Sequence, residues 1–191
     1  MDPEHSICFE PVTYLNYFRT GFTHPPGGRK YQNQSIYCYH YYNPPTFNMQ
    51  KFMKARMKDM NRLQTGGLLS EFYTINAEGE KNIGMMDECD ANLQSWFGWI
   101  YPIEEKHLPR QAQSQHNLHS ILYKDGKVSE YFSELIKGIT RTFAPRVAGE
   151  TVSQTFDSVN KKFTLVYNIC TICGDTIVFV SEEEVYKKGN S

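Results

Sequence analysis

Apolar positions along the chain alternate between short, dense runs and longer stretches at helical spacing. "SICFEPVTY" from Ser6, "SIYCYHYYNPP" from Ser35, "GGLLSEF" from Gly66 and "LQSWFGWIYP" from Leu93 are short, aromatic-rich and β-prone, and two prolines stop the second. Between them, "PTFNMQKFMKARMKDMNRLQ" places Phe47, Met49, Phe52, Met53, Met57 and Met60 near a 3.6-residue period. That predicts a helix packing a soft apolar face on a core, with Lys and Arg between the apolar positions. "EKNIGMMDECDANLQ" reads as a second helix with charges on one side. "VSEYFSELIKGITRTF" reads as a third, with Val128, Phe132, Leu135, Ile136 and Ile139 inward and Pro145 and Gly149 as its stop. The polar, His-rich stretch from Pro102 to Gly126 reads as a long loop.

Strand, helix, strand, helix at this spacing predicts βα units on a parallel sheet. No Gly-rich nucleotide loop follows any strand, and the strand ends are aromatic, so half of a (β/α)8 TIM barrel fits better than a doubly wound sheet. After Gly149 the texture becomes alternating apolar and polar, with turn signals at Asp157–Asn160 and Gly174–Asp175, which predicts antiparallel β structure. The expected organisation is α/β: residues 1–148 as the carboxyl-side half of a barrel, then residues 149–191 as the start of an antiparallel β-sandwich. On this reading the chain begins and ends within domains.

Composition narrows the chemistry. The 191 residues carry a formal net charge of -1, so no basic footprint points to nucleic acid, and no apolar run is long enough to cross a bilayer. Aromatics reach 14%, with 13 Tyr and 12 Phe, a supply that suits sugar-binding clefts as well as core packing. Of five cysteines, Cys170 and Cys173 form a C-x-x-C with no second pair at zinc spacing. They read as small hydrophobes in a strand, with a local disulfide as the alternative. His107, His116 and His119 lie at loop spacing without a carboxylate partner, so no metal and no cofactor are expected. Asn33 opens an Asn-Gln-Ser glycosylation sequon.

In a barrel of this kind the chemistry lies at the carboxyl ends of the strands. There the chain presents Glu10, then His40 and Tyr42, then Glu71, then Trp96 or Trp99. A carboxylate after an apolar strand, with a Tyr to keep it ionised and a Trp face for a sugar ring, is the kit of a retaining glycosidase.

The runs "FEPVT", "GF" followed by "PPGGRKYQNQS", "YHYYNPP", "LLSEF" and "CDANLQSWFGWIY" resemble, in order, the strand-end motifs of endoglycoceramidases. Those are glycoside hydrolase family 5 enzymes that release the intact glycan from glycosphingolipids. "TRTFAPRVAG" and "QTFDSVNKKFTLVYN" resemble the passage into that family's carboxyl-terminal β-sandwich. The resemblance implies Glu71 as the nucleophile at the end of barrel strand seven, with Tyr42 supporting it and His40 beside Tyr42 in the H-x-Y of strand six. It implies Trp99, with Trp96 second, as the aromatic platform, and Glu10 as a cleft-lining residue on strand five. The family's acid/base is the Glu of an Asn-Glu-Pro on strand four, which this sequence lacks, and Tyr73 stands where the family commonly has Gly. The implied substrate is a glycosphingolipid met at a lipid surface or micelle, in a secreted or lysosomal setting. The missing barrel half is expected in the full-length protein, and this chain alone is expected to be inactive. Two alternatives stand beside it: a non-catalytic truncated relative that binds glycan or lipid, and a cellulase-like polysaccharide hydrolase.

Overall fold

Helix α1 (Met49–Leu63) shows how the local sequence sets the frame. Asn48 caps its start, its side chain accepting from the Lys51 amide at 2.7 Å, and Gln64 closes it in the left-handed conformation. The face it buries holds Phe52, Met53, Arg56, Asp59, Met60 and Leu63. The apolar stripe is as expected at Phe52, Met53 and Met60, but Met49 and Met57 are only half-buried. Arg56, one of the basic residues between the apolar positions, is wholly buried. Its guanidinium pairs with Asp59 at 3.3 Å, and Asp59 also takes Arg62 at 2.9 Å, so the buried charge is balanced one turn away. Arg62 further donates to the Phe22 carbonyl, tying the helix to the preceding loop.

The computed structural model describes residues 5–12, 21–42, 48–74, 83–99, 123–124, 127–128, 136–170, 174–181 and 185. The chain divides into two compact units, Met1–Tyr73 with Gly84–Trp99, and Thr74–Ile83 with Ile100–Ser191.

In the first unit, β1 (Ile7–Phe9), β2 (Ser35–Tyr41), β3 (Gly66–Tyr73) and β4 (Ser95–Trp99) form a four-stranded sheet in sequence order. Every neighbouring pair is parallel. Helix α1 connects β2 to β3, and α2 (Ile83–Ala91) connects β3 to β4, the βα rhythm read from the sequence. One sheet face is an aromatic layer. Tyr37, Tyr39 and Tyr41 are buried there, and Phe52 of α1 packs 5.8 Å from Tyr39 and 5.2 Å from Tyr41 between ring centres. Burying such a side chain contributes about 1.5–3 kcal/mol, so this layer anchors the helix to the sheet.

The second unit departs from expectation near its start. Val128, expected on a helix, lies in strand β6 (Lys127–Val128), and the expected loop contains β5 (Tyr123–Lys124), its antiparallel partner. The apolar spacing alone did not disclose this short antiparallel pair. Of the expected third helix, residues 136–139 form a helical turn and Phe143 opens a strand, while residues 129–135 lie outside the described set. Pro145, expected to lie past a helix, sits inside β7 (Phe143–Arg146), which pairs antiparallel with β10 (Ile177–Phe179). β8 (Gly149–Asp157) and β9 (Lys162–Ile169) form the second antiparallel pair, as the alternating texture predicts. Cys170, read as a small hydrophobe, is disulfide-bonded just past β9. A β-sheet pattern cannot separate a packed thiol from a bridged one.

Candidate active site

Parallel strands put all their carboxyl ends on one edge, and the strand-end residues gather there. On β2 the odd-numbered tyrosines face α1, so Cys38 and His40 fall on the opposite face, and Tyr42 follows the strand's end. Glu10 follows β1 and reaches across to it: His40 Nε2 lies 3.0 Å from Glu10 Oε2. The contact is a hydrogen bond while the imidazole is neutral and an ion pair once it is protonated; in either state it fixes the ring's orientation. Tyr42 packs edge-on against His40, with ring centres 6.3 Å apart and planes at 85°.

Glu71 reaches the same face through an irregularity. Tyr39 pairs with Leu69, yet His40 pairs with Glu71, so Ser70 is an extra residue in β3. The pairing with β4 carries the same shift: Leu69 and Phe72 oppose Trp96 and Gly98. This is a β-bulge, and the Ser70 hydroxyl donates to the Tyr39 carbonyl at 3.3 Å beside it. In a regular strand Leu69 and Glu71 would share a face. The bulge lets Leu69 and Phe72 both stay fully buried while Glu71, half-buried, stands next to His40.

The two tryptophans separate. Trp99 is in register with Tyr73, and both are partly open. Trp96 is in register with buried Leu69 and meets Phe72 edge-on at 5.6 Å, so it belongs to the face opposite Glu71. Thus Glu10, His40, Tyr42 and Glu71 come together, Trp99 stands beside them one strand further, and Trp96 does not join them. Tyr73 was missed as a site neighbour. It packs against Tyr42 with ring centres 4.7 Å apart, and its place two residues after Glu71 was the available signal. Beneath His40 on the same face, burial pushes the Cys38 thiol up to about 12, helped by a hydrogen bond with Cys8. It therefore stays a protonated, unreactive lining group. No group of three or more metal-ligating side chains occurs among the described residues, and His107, His116 and His119 lie outside them.

No protein-family model matches the chain. Two curated proteins do. An endoglycoceramidase of Hydra vulgaris is 38% identical over 192 residues, covering 99% of this chain and 35% of the relative. An endoglycoceramidase of Cyanea nozakii is 36% identical over 197 residues, covering 99% of this chain and 37% of the relative. The chain thus spans little more than a third of the length of the curated relatives it matches. Along nearly the whole of its own length, the chain is a homologue of the endoglycoceramidases.

Proposed function

We propose that this chain is the nucleophile-bearing portion of a retaining endo-glycosidase that cleaves the bond between oligosaccharide and ceramide in glycosphingolipids. The observation that carries the reading is the placement of Glu71 in register with His40 at the carboxyl edge of a four-stranded parallel sheet, in a chain homologous to endoglycoceramidases. In this reading the four strands are strands five to eight of a (β/α)8 barrel, and the antiparallel pairs of the second unit begin a β-sandwich. Glu71 attacks the anomeric carbon and expels the ceramide alcohol, giving a glycosyl-enzyme that water then hydrolyses. In this reading Tyr42, packed against His40 at the same edge, is the side chain that supports Glu71. The Glu10–His40 contact stiffens the neighbouring strand end, and Trp99 offers a ring face to the sugar.

Retention needs a second carboxyl about 5–5.5 Å from the nucleophile, to protonate the leaving oxygen and then deprotonate water. The homologues' remaining two-thirds is the natural source of that acid/base, so the reaction belongs to the full-length protein. Two features support a secretory route, to the cell exterior or the lysosome: Cys170 is disulfide-bonded, and Asn33 of the sequon is exposed.

The test is Glu71→Ala in the full-length protein that carries this chain, assayed on lactosylceramide in detergent micelles. Cleavage is expected to fall on the order of 10³-fold or more. Azide, entering the space of the missing carboxylate, is expected to restore turnover as a glycosyl azide of inverted anomeric configuration. Undiminished cleavage by the variant would remove Glu71 from the role. A second reading follows from the short span relative to the homologues: a non-catalytic protein that binds glycan or lipid. It predicts micelle or glycan binding without turnover, unaltered by Glu71→Ala.

A further inference from the structure

Tyr73 lies outside the set just described, yet among the described residues it is the ring packed closest to Tyr42. β2 ends at Tyr41, so the Tyr42 backbone has left the sheet and its ring is placed by what surrounds it. His40 meets it edge-on with centres 6.3 Å apart, whereas Tyr73 is nearer, at 4.7 Å with planes at 67°. The register explains the encounter. Tyr41 pairs with Phe72, which brings the next residues, Tyr42 and Tyr73, side by side. Phe72 is fully buried on the other face, so Glu71 and Tyr73 flank it on the face that carries His40.

We propose that Tyr73 is a positioning residue: by edge-to-face packing it holds the Tyr42 ring at the strand edge that carries Glu71. The inference rests on the glycosidase reading of Glu71 and Tyr42. In that reading the Tyr42 hydroxyl hydrogen-bonds the nucleophile during turnover, and a carboxylate that loses a hydrogen bond is harder to ionise, so a loosened Tyr42 moves the acid limb of the pH–rate profile upward. Damage to the fold alone would not do so.

The experiment is a double-mutant cycle in the full-length protein on lactosylceramide micelles, with thermal unfolding as a check on each variant. Tyr73→Ala is expected to lower kcat about three- to tenfold, the range of an aromatic pair, with KM within about twofold and the acid limb shifted up. Tyr73→Phe, which keeps the ring, is expected to restore most of kcat. Tyr42→Phe with Tyr73→Ala should be no slower than Tyr42→Phe alone, because Tyr73 acts through that hydroxyl. A raised KM with unchanged kcat, or additive losses in the double variant, would overturn the proposal and leave Glu71 as nucleophile. An inactive wild-type protein overturns the glycosidase reading and this role together, so the two failures are told apart.

Discussion

Glu10 and His40 are thirty residues apart in sequence and 3.0 Å apart in space, and that reach was partly legible. The strand-end rule brought both to one edge, but no spacing argument announced the contact between them. Arg56 was not legible at all. Its neighbours in sequence gave it a solvated look, while Asp59, one turn on, allows its complete burial. At the same scale, Asp157 closes the β8–β9 hairpin. Its carboxylate accepts from the Val159 and Asn160 amides at 2.9 Å and from the Asn160 side chain at 2.7 Å. Those donors, the Asn160 amide foremost, hold its pKa below the usual carboxylate range. A depressed carboxyl stabilises the fold at pH above its unfolded value and loses that contribution as pH falls through the folded value. Amide exchange at Val159 and Asn160, corrected for intrinsic rates, is therefore expected to quicken at acid pH. Asp157→Ala should show the quickened exchange at neutral pH and no further acid response.

At the scale of elements, the β-prone runs and the two helices between them were readable because periods of 2 and 3.6 separate cleanly over such lengths. The short β5–β6 pair was not, since two-residue strands carry no period. The fit of α1 onto β3 turns on Gly67. A Cβ there would run into the Met60 sulfur and the Gln94 side-chain oxygen. Gln94 Oε1 also accepts from the Tyr39 hydroxyl at 3.0 Å, so displacing it strains a second contact. Gly67→Ala is expected to destabilise the protein by about 1–3 kcal/mol, read as a lower urea midpoint at unchanged slope. An unchanged midpoint would mean that Met60 swings aside freely.

Across the whole molecule, the sheet of the first unit ends in β1 on one side and β4 on the other, each with one unpaired edge in the described sheet. Beside β4, Leu93, Phe97 and Trp99 are exposed, Phe97 at 64%. Within the second unit, Val152, Val166, Ile169 and the run Ile177, Val178, Phe179 and Val180 are exposed as well. Open strand edges with apolar flanks favour association. The isolated 191-residue chain is expected to sediment as concentration-dependent oligomers at micromolar concentration. Co-expression with the remaining two-thirds of a homologous endoglycoceramidase is expected to abolish that behaviour. A sharp monomer at all concentrations would show that these edges are covered without it.

The bulge at Ser70 has a consequence for how this strand can vary in length. Elsewhere in β3, gaining or losing a residue would turn Glu71 toward the buried side, because side chains alternate at every step. Between Leu69 and Glu71 the alternation is already broken. Deleting Ser70 would restore a regular strand and still leave the acid facing the same way. A deletion at Ser70 therefore differs from one earlier in β3: it leaves the facing of Glu71 unchanged.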